Sequence, residues 1–121
     1  MLNGRTVLIV EAEFLVALDI QHLLEDLAAG EMVFARAPRE ALAMAPRWPE
    51  LALAIVEIGL DNADATLLVD QLCAAGVGVV LTSTDGARDG RTGGTGLPVI
   101  VKPASEADFR AAVARALETD R

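Results

Sequence analysis

Four strings place chemically able side chains at the ends of apolar runs. They are Glu11-Ala12-Glu13 after Val7-Leu8-Ile9-Val10, Glu57 after Ala54-Ile55-Val56, Thr82-Ser83 after Val79-Val80-Leu81, and Lys102-Pro103 after Val99-Ile100-Val101. In an open parallel sheet, ligands collect outside the C-terminal ends of the strands, so carboxylates, hydroxyls and one ammonium group are expected to meet on one edge. That mixture excludes much chemistry. No nucleophile–base pair is evident, and Thr82 or Ser83 would be a poor nucleophile without a base, so the chain does not read as an enzyme. Carboxylates after the first and third runs would repel a phosphate-bearing cofactor. Cys73 is the one cysteine, which rules out a disulfide within the chain and a multi-cysteine metal site. It is expected to be a small buried hydrophobe on a helix.

The elements that must position these residues alternate along the chain. Thr6–Val10, Leu51–Val56, Val77–Leu81 and Leu97–Val101 are short apolar runs suited to strands covered on both faces, and Met32–Ala35 is a weaker fifth. Between them lie helical stripes. Val16, Ala17, Ile20, Leu23, Leu24 and Leu27 share one face, with Gly30 expected as the stop. Pro38 opens a short helix through Met44 that Pro46 is expected to end. Ala65, Leu68, Val69 and Leu72 form a third stripe closed by Gly76. Phe109, Ala112, Val113, Ala116 and Leu117 form the last, preceded by a capping-box-like Ser105 and Asp108. This order predicts an α/β fold, a doubly wound five-stranded parallel sheet in three α/β/α layers. One link differs: residues 84–96 hold five glycines in thirteen residues, so the helix there, the fourth, is expected to be short or missing. The same glycines lack the spacing and the lysine of a phosphate-binding loop.

Length and charge bound the rest. The 121 residues suit a single domain over 1–121. No apolar run approaches the roughly 20 residues that span a bilayer, and the start leads straight into a strand-like segment, so a cytoplasmic location is expected with no membrane partner. A net charge of −8 argues against a nucleic-acid partner.

Taken together, the four strings and the helices between them resemble the receiver domains of two-component response regulators, over essentially the whole chain. The resemblance implies a flavodoxin-like fold and a place in phosphorelay signal transduction. It implies an acidic pocket at Glu11 and Glu13, a phosphoacceptor position at Glu57, and phosphate-sensing switch positions at Thr82, Lys102 and Pro103, with a cis peptide before the proline. The departures define an atypical, pseudo-receiver pattern. Ala12 stands where the second acidic residue belongs, and Glu13, one position later at the start of a helix, is expected to point elsewhere. Mg²⁺, which demands octahedral oxygen ligation, is therefore expected to bind weakly or not at all, with Glu11 as a remnant. Glu57 replaces the acceptor aspartate, and its extra methylene moves the carboxylate about 1.5 Å further out, enough to impair in-line attack. Val99 occupies the aromatic switch position. The short link before the last strand and the Phe14-Leu15-Val16-Ala17-Leu18 opening also resemble the alphaproteobacterial FATGUY-like single-domain receivers.

The expected role is a stand-alone signalling module acting by protein–protein contact, with a histidine kinase or downstream signalling protein as partner and a homodimer as an option. Glu57 then either pairs with Lys102 to hold an active-like form or marks an inert site. Two alternatives stay open: a conventional receiver with an unconventional acceptor, and a small-molecule-binding flavodoxin-like module. Leu15 and Leu18 either pack on the last helix or widen an apolar patch for a partner. His22 reads as a solvent-facing histidine, and Trp48 as a cap over the sheet edge.

Overall fold

The computed structural model describes residues 1–58, 63–83, 97–101 and 105–118. Five parallel strands, β1 (Thr6–Val10), β2 (Met32–Ala35), β3 (Leu51–Glu57), β4 (Gly78–Ser83) and β5 (Val99–Val101), form one sheet in the order β2-β1-β3-β4-β5. The helices are α1 (Phe14–Asp26), α2 (Pro38–Leu42), α3 (Ala63–Ala74) and a C-terminal α4 (Glu106–Glu118). Strand residues alternate between two cores because successive side chains leave a strand on opposite faces. Val7, Ile9, Leu53, Ile55, Val80 and Ile100 pack with Ala17, Ile20 and Leu24 of α1 and Phe109, Val113 and Ala116 of α4. Leu8, Val10, Ala54, Val56, Val79 and Leu81 pack with Ala41 of α2, Leu68, Val69 and Leu72 of α3, and Trp48. The sheet is thus covered on both faces, which is why its central strands are apolar throughout rather than alternating.

Helix ends explain where sequence expectations and structure part. At α3 the expected stop holds: Gly76 has φ of 83°, its N–H donates to the Cys73 carbonyl, and the Val77 N–H reaches back to Leu72, a Schellman closure. The same closure ends α1, but at Ala28, with φ of 69°, whose N–H donates to Glu25 while that of Ala29 donates to Leu24. Gly30 is not the stop. It is needed because a Cβ there would run into the Gly4 carbonyl, where the first residues are tied to this turn by Leu2 N–H to Leu27 and Gly4 N–H to Ala28. Pro46 likewise does not end a helix. It lies in the first turn of a 3₁₀ segment, Ala45–Glu50, a position needing no proline N–H. Trp48 in that segment lies inside the α2/α3 core rather than over an edge. Cys73 is exposed, correcting the buried expectation: Leu72 faces the core, and the next helical residue turns about 100° away. The Asp108 N–H donates to the Ser105 hydroxyl oxygen at 3.0 Å, the expected cap. The segment 84–96, where a short or missing helix is expected, lies outside the described residues. Among the described residues, no helix is long and apolar enough to cross a membrane.

Candidate functional site

Strand register builds the site. Val10 pairs with Val56, and Glu57 pairs with Thr82, which pairs with Ile100. Partners in parallel register project to the same face, so Glu11, Glu57 and Thr82 form a row across three strand ends on the α1/α4 side. Thr82 and Ser83, adjacent in sequence, therefore go to opposite faces, and Val99 joins the α2/α3 core on the face opposite Thr82. Glu11 is 4% exposed and Thr82 2%, whereas Glu57 is half-buried and Ala12 and Glu13 are exposed. Burying a carboxylate is tolerated only where donors meet it. For Glu11 one donor is the Glu13 N–H, 3.1 Å from Oε2. The Glu13 side chain makes no capping bond to α1, although its extended backbone (φ −96°, ψ 121°) places it at the cap position.

Glu57 leans toward the loop between β1 and α1. Its Oε1 accepts the Ala12 N–H at 3.4 Å, so the residue whose side chain offers no ligand offers a backbone donor instead. Sequence reasoning missed this contact, because a main-chain N–H carries no residue-type signal. The Ile58 N–H donates to the Thr82 carbonyl at 2.9 Å, continuing the β3–β4 ladder past Glu57. The Thr82 hydroxyl is different: it is buried and has no hydrogen-bond partner among the described residues. Lys102 and Pro103 lie outside the described residues, so the expected pairing of Glu57 with Lys102 falls there too. Phe14 and Leu15, which open α1 two and three residues after Ala12, each stand 73% exposed, and His22 faces solvent as expected. Around them α1 carries Asp19, Glu25 and Asp26 and no Lys or Arg. The arrangement is two carboxylates held by loop amides, one unbonded hydroxyl, and an apolar helix start with an acidic surround.

No family model matches the chain, and no curated protein matches it. Solved structures do. A response regulator receiver domain protein from Clostridium thermocellum superposes with a TM-score of 0.77 at 16% identity over 95% of both chains. A response regulator receiver protein from Sinorhizobium medicae WSM419 gives 0.77 at 17% identity over the whole of both. The response regulator PhyR from Brucella abortus gives 0.77 at 23% identity over 97% of this chain, which spans 49% of PhyR. At such identities the shared property is the architecture: the chain has the flavodoxin-like fold of response-regulator receiver domains.

Proposed function

We propose that the chain is an atypical receiver in response-regulator signalling, that it acts through protein contacts, and that residue 57 takes no phosphoryl group. The observation that carries this reading is the Glu57 carboxylate resting on the Ala12 N–H. A conventional receiver gathers two acidic side chains and an acceptor aspartate around Mg²⁺. Here the described row offers Glu11 and Glu57, each engaged by a loop amide, and a methyl at Ala12 where the further carboxylate would stand. That donor set does not fit an ion that needs near-ideal octahedral oxygen ligation, and an acceptor misplaced by about 1 Å loses about a hundredfold in rate. Neither Thr82 nor Ser83 has a histidine to activate it, since the one histidine of the chain, His22, is exposed on α1.

Between an active-like lock and an inert docking fold, the unbonded Thr82 hydroxyl favours the second for the free protein. A carboxylate standing in for a phosphoryl group would engage that hydroxyl. The partner class is a protein, a histidine kinase or downstream signalling protein, met at the exposed Phe14 and Leu15; the net charge of −8 speaks against nucleic acid. A cytoplasmic, stand-alone module is part of the same proposal. The test is intact mass after incubation with acetyl phosphate and Mg²⁺. The native chain is expected to stay unmodified while the Ala12→Asp, Glu57→Asp double variant gains one phosphoryl group. A phosphorylated native chain overturns the reading.

A further inference from the structure

The sheet ends on one side at β2, and this edge carries few of the features that keep an edge strand from pairing. Met32-Val33-Phe34-Ala35 is short, but it holds no charge and no proline, its register with β1 runs without a bulge, and Phe34 stands 43% exposed. Its backbone is half used. The Glu31 and Ala35 carbonyls accept the Val7 and Glu11 N–H groups, on and just after β1, at 3.0 Å. Successive residues of a strand turn their backbone groups to opposite sides, so the N–H and C=O of Met32 and Phe34 point away from β1. The next outward N–H, that of Arg36, is taken by the Glu40 carboxylate at 2.6 Å. Two residues of the edge are open, and the one after them is closed.

We infer that β2 is the pairing edge for a second copy of this chain, joined antiparallel about a two-fold axis through Val33. The Glu40 cap selects the register. An axis through Phe34 would call on the Arg36 N–H, which is taken. An axis through Val33 sets Met32 opposite the partner's Phe34, and the symmetry repeats that bonded pair with the roles exchanged. The side chains agree with this register. Phe34 pairs with Ile9 of β1 and so leaves the sheet on the α1/α4 side with Met32, while Val33 leaves on the other. Each exposed Phe34 is then covered by the partner's Met32, and Val33 meets Val33. Charge sets the direction and the occupant. Arg36 and Arg39, both exposed, follow the C-terminal end of β2, and Arg39 reaches only Asp64, at 3.8 Å. At the N-terminal end α1 closes on the exposed Glu25-Asp26, and the arginines there are engaged: Arg5 with the Leu2 carbonyl, Arg47 with Glu31 and Glu50. Antiparallel pairing brings the basic end of each edge to the acidic end of the other, whereas a parallel neighbour would set like ends together. The product is one continuous sheet of two five-stranded halves, with the two rows of Glu11, Glu57 and Thr82 at opposite ends. It holds whether or not residue 57 takes a phosphoryl group.

The experiment is sedimentation velocity of the full chain over a concentration series into the millimolar range, with amide hydrogen exchange read residue by residue by NMR. The native chain is expected to pass from 12.7 kDa to twice that mass, and the Met32 and Phe34 amides to exchange more slowly as it does. Phe34→Lys, at an exposed position and with its fold checked by circular dichroism, is expected to stay monomeric. Leu67→Lys, at an exposed apolar position on α3, is expected to dimerise like the native chain. Arg36→Glu is expected to weaken the dimer about 10-fold, because the two-fold axis repeats each exposed charge pair, and adding Asp26→Arg is expected to recover it. A chain that stays monomeric throughout, its edge left to a strand of another protein or to none, overturns the proposal. So does a dimer that Phe34→Lys leaves intact, or one whose loss in Arg36→Glu is not recovered by Asp26→Arg. Should Phe34→Lys not fold, the charge reversal and its recovery decide.

Discussion

The two ends of the same strands are built on opposite terms. At the N-terminal ends, polar groups are exposed and paired: Arg47 bonds Glu31 at 3.0 Å and Glu50 at 2.9 Å, and the first residues are laced to the α1–β2 turn by backbone bonds. At the C-terminal ends, polar groups are buried: Glu11 is 4% exposed, and the Thr82 hydroxyl is buried with no hydrogen-bond partner among the described residues. One end is closed by backbone fit, and the other keeps buried polarity that a well-packed apolar residue would relieve. The difference assigns stability to the first end and responsiveness to the second, since elements that change state are drawn from the less stabilised parts of a fold.

Four substitutions sharpen or break that division. The largest effect is expected at the closed end. Gly30→Ala forces a Cβ into the Gly4 carbonyl and should destabilise by about 1–3 kcal/mol, as overpacking does, read from the urea midpoint. A neutral Gly30→Ala would mean that the N-terminal turn is not fixed. Thr82→Val at the open end should stabilise by about 1 kcal/mol; a loss instead would mean that the hydroxyl is bonded in solution. Ala28→Gly should stabilise by about 0.5–1 kcal/mol, because a left-handed residue at a helix C′ position favours glycine. Calorimetry reads this as a small rise in Tm.

The smallest effect is expected for Glu50→Gln. The Arg47 guanidinium, through its hydrogen bond, holds the Glu50 carboxyl below the usual carboxylate range. A lowered folded-state value gives stability that is present above the ordinary glutamate range and lost as pH falls through it. That contribution is slight, because both groups are solvent-exposed and screened. Glu50→Gln should therefore flatten the acid limb of the stability profile and leave neutral pH almost unchanged. A large loss at neutral pH would show that this ion pair, and not backbone fit, closes the lower end.

Much of the fold was legible because the sheet is covered on both faces. The runs at Thr6–Val10 and Met32–Ala35 coincide with β1 and β2, and Gly76 ends its helix as expected. Gly30 was misassigned because a glycine after a helix signals either a left-handed turn or a close approach. Only the placement of Gly4 against it tells which. Cys73 was misassigned because one position along a helix separates core from solvent. Pro46 was read as a stop because the preceding helix and the 3₁₀ segment meet within three residues. At the site, the residue types at the strand ends were readable, and the row they form follows from register. The lean of Glu57 onto Ala12 was not, because it depends on a main-chain donor and on the relative height of two strands.

Trp48 has a further consequence for anyone watching this protein fold. It is the only tryptophan, and the chain has no tyrosine. Its indole lies in the α2/α3 layer, with Nε1 buried and without a hydrogen-bond partner among the described residues. Intrinsic fluorescence therefore reports one side of the sheet, and the α1/α4 side, where Glu11, Glu57 and Thr82 project, is optically dark. A conformational change confined to that row would pass unseen in the emission spectrum, so a silent tryptophan is no sign of a silent site.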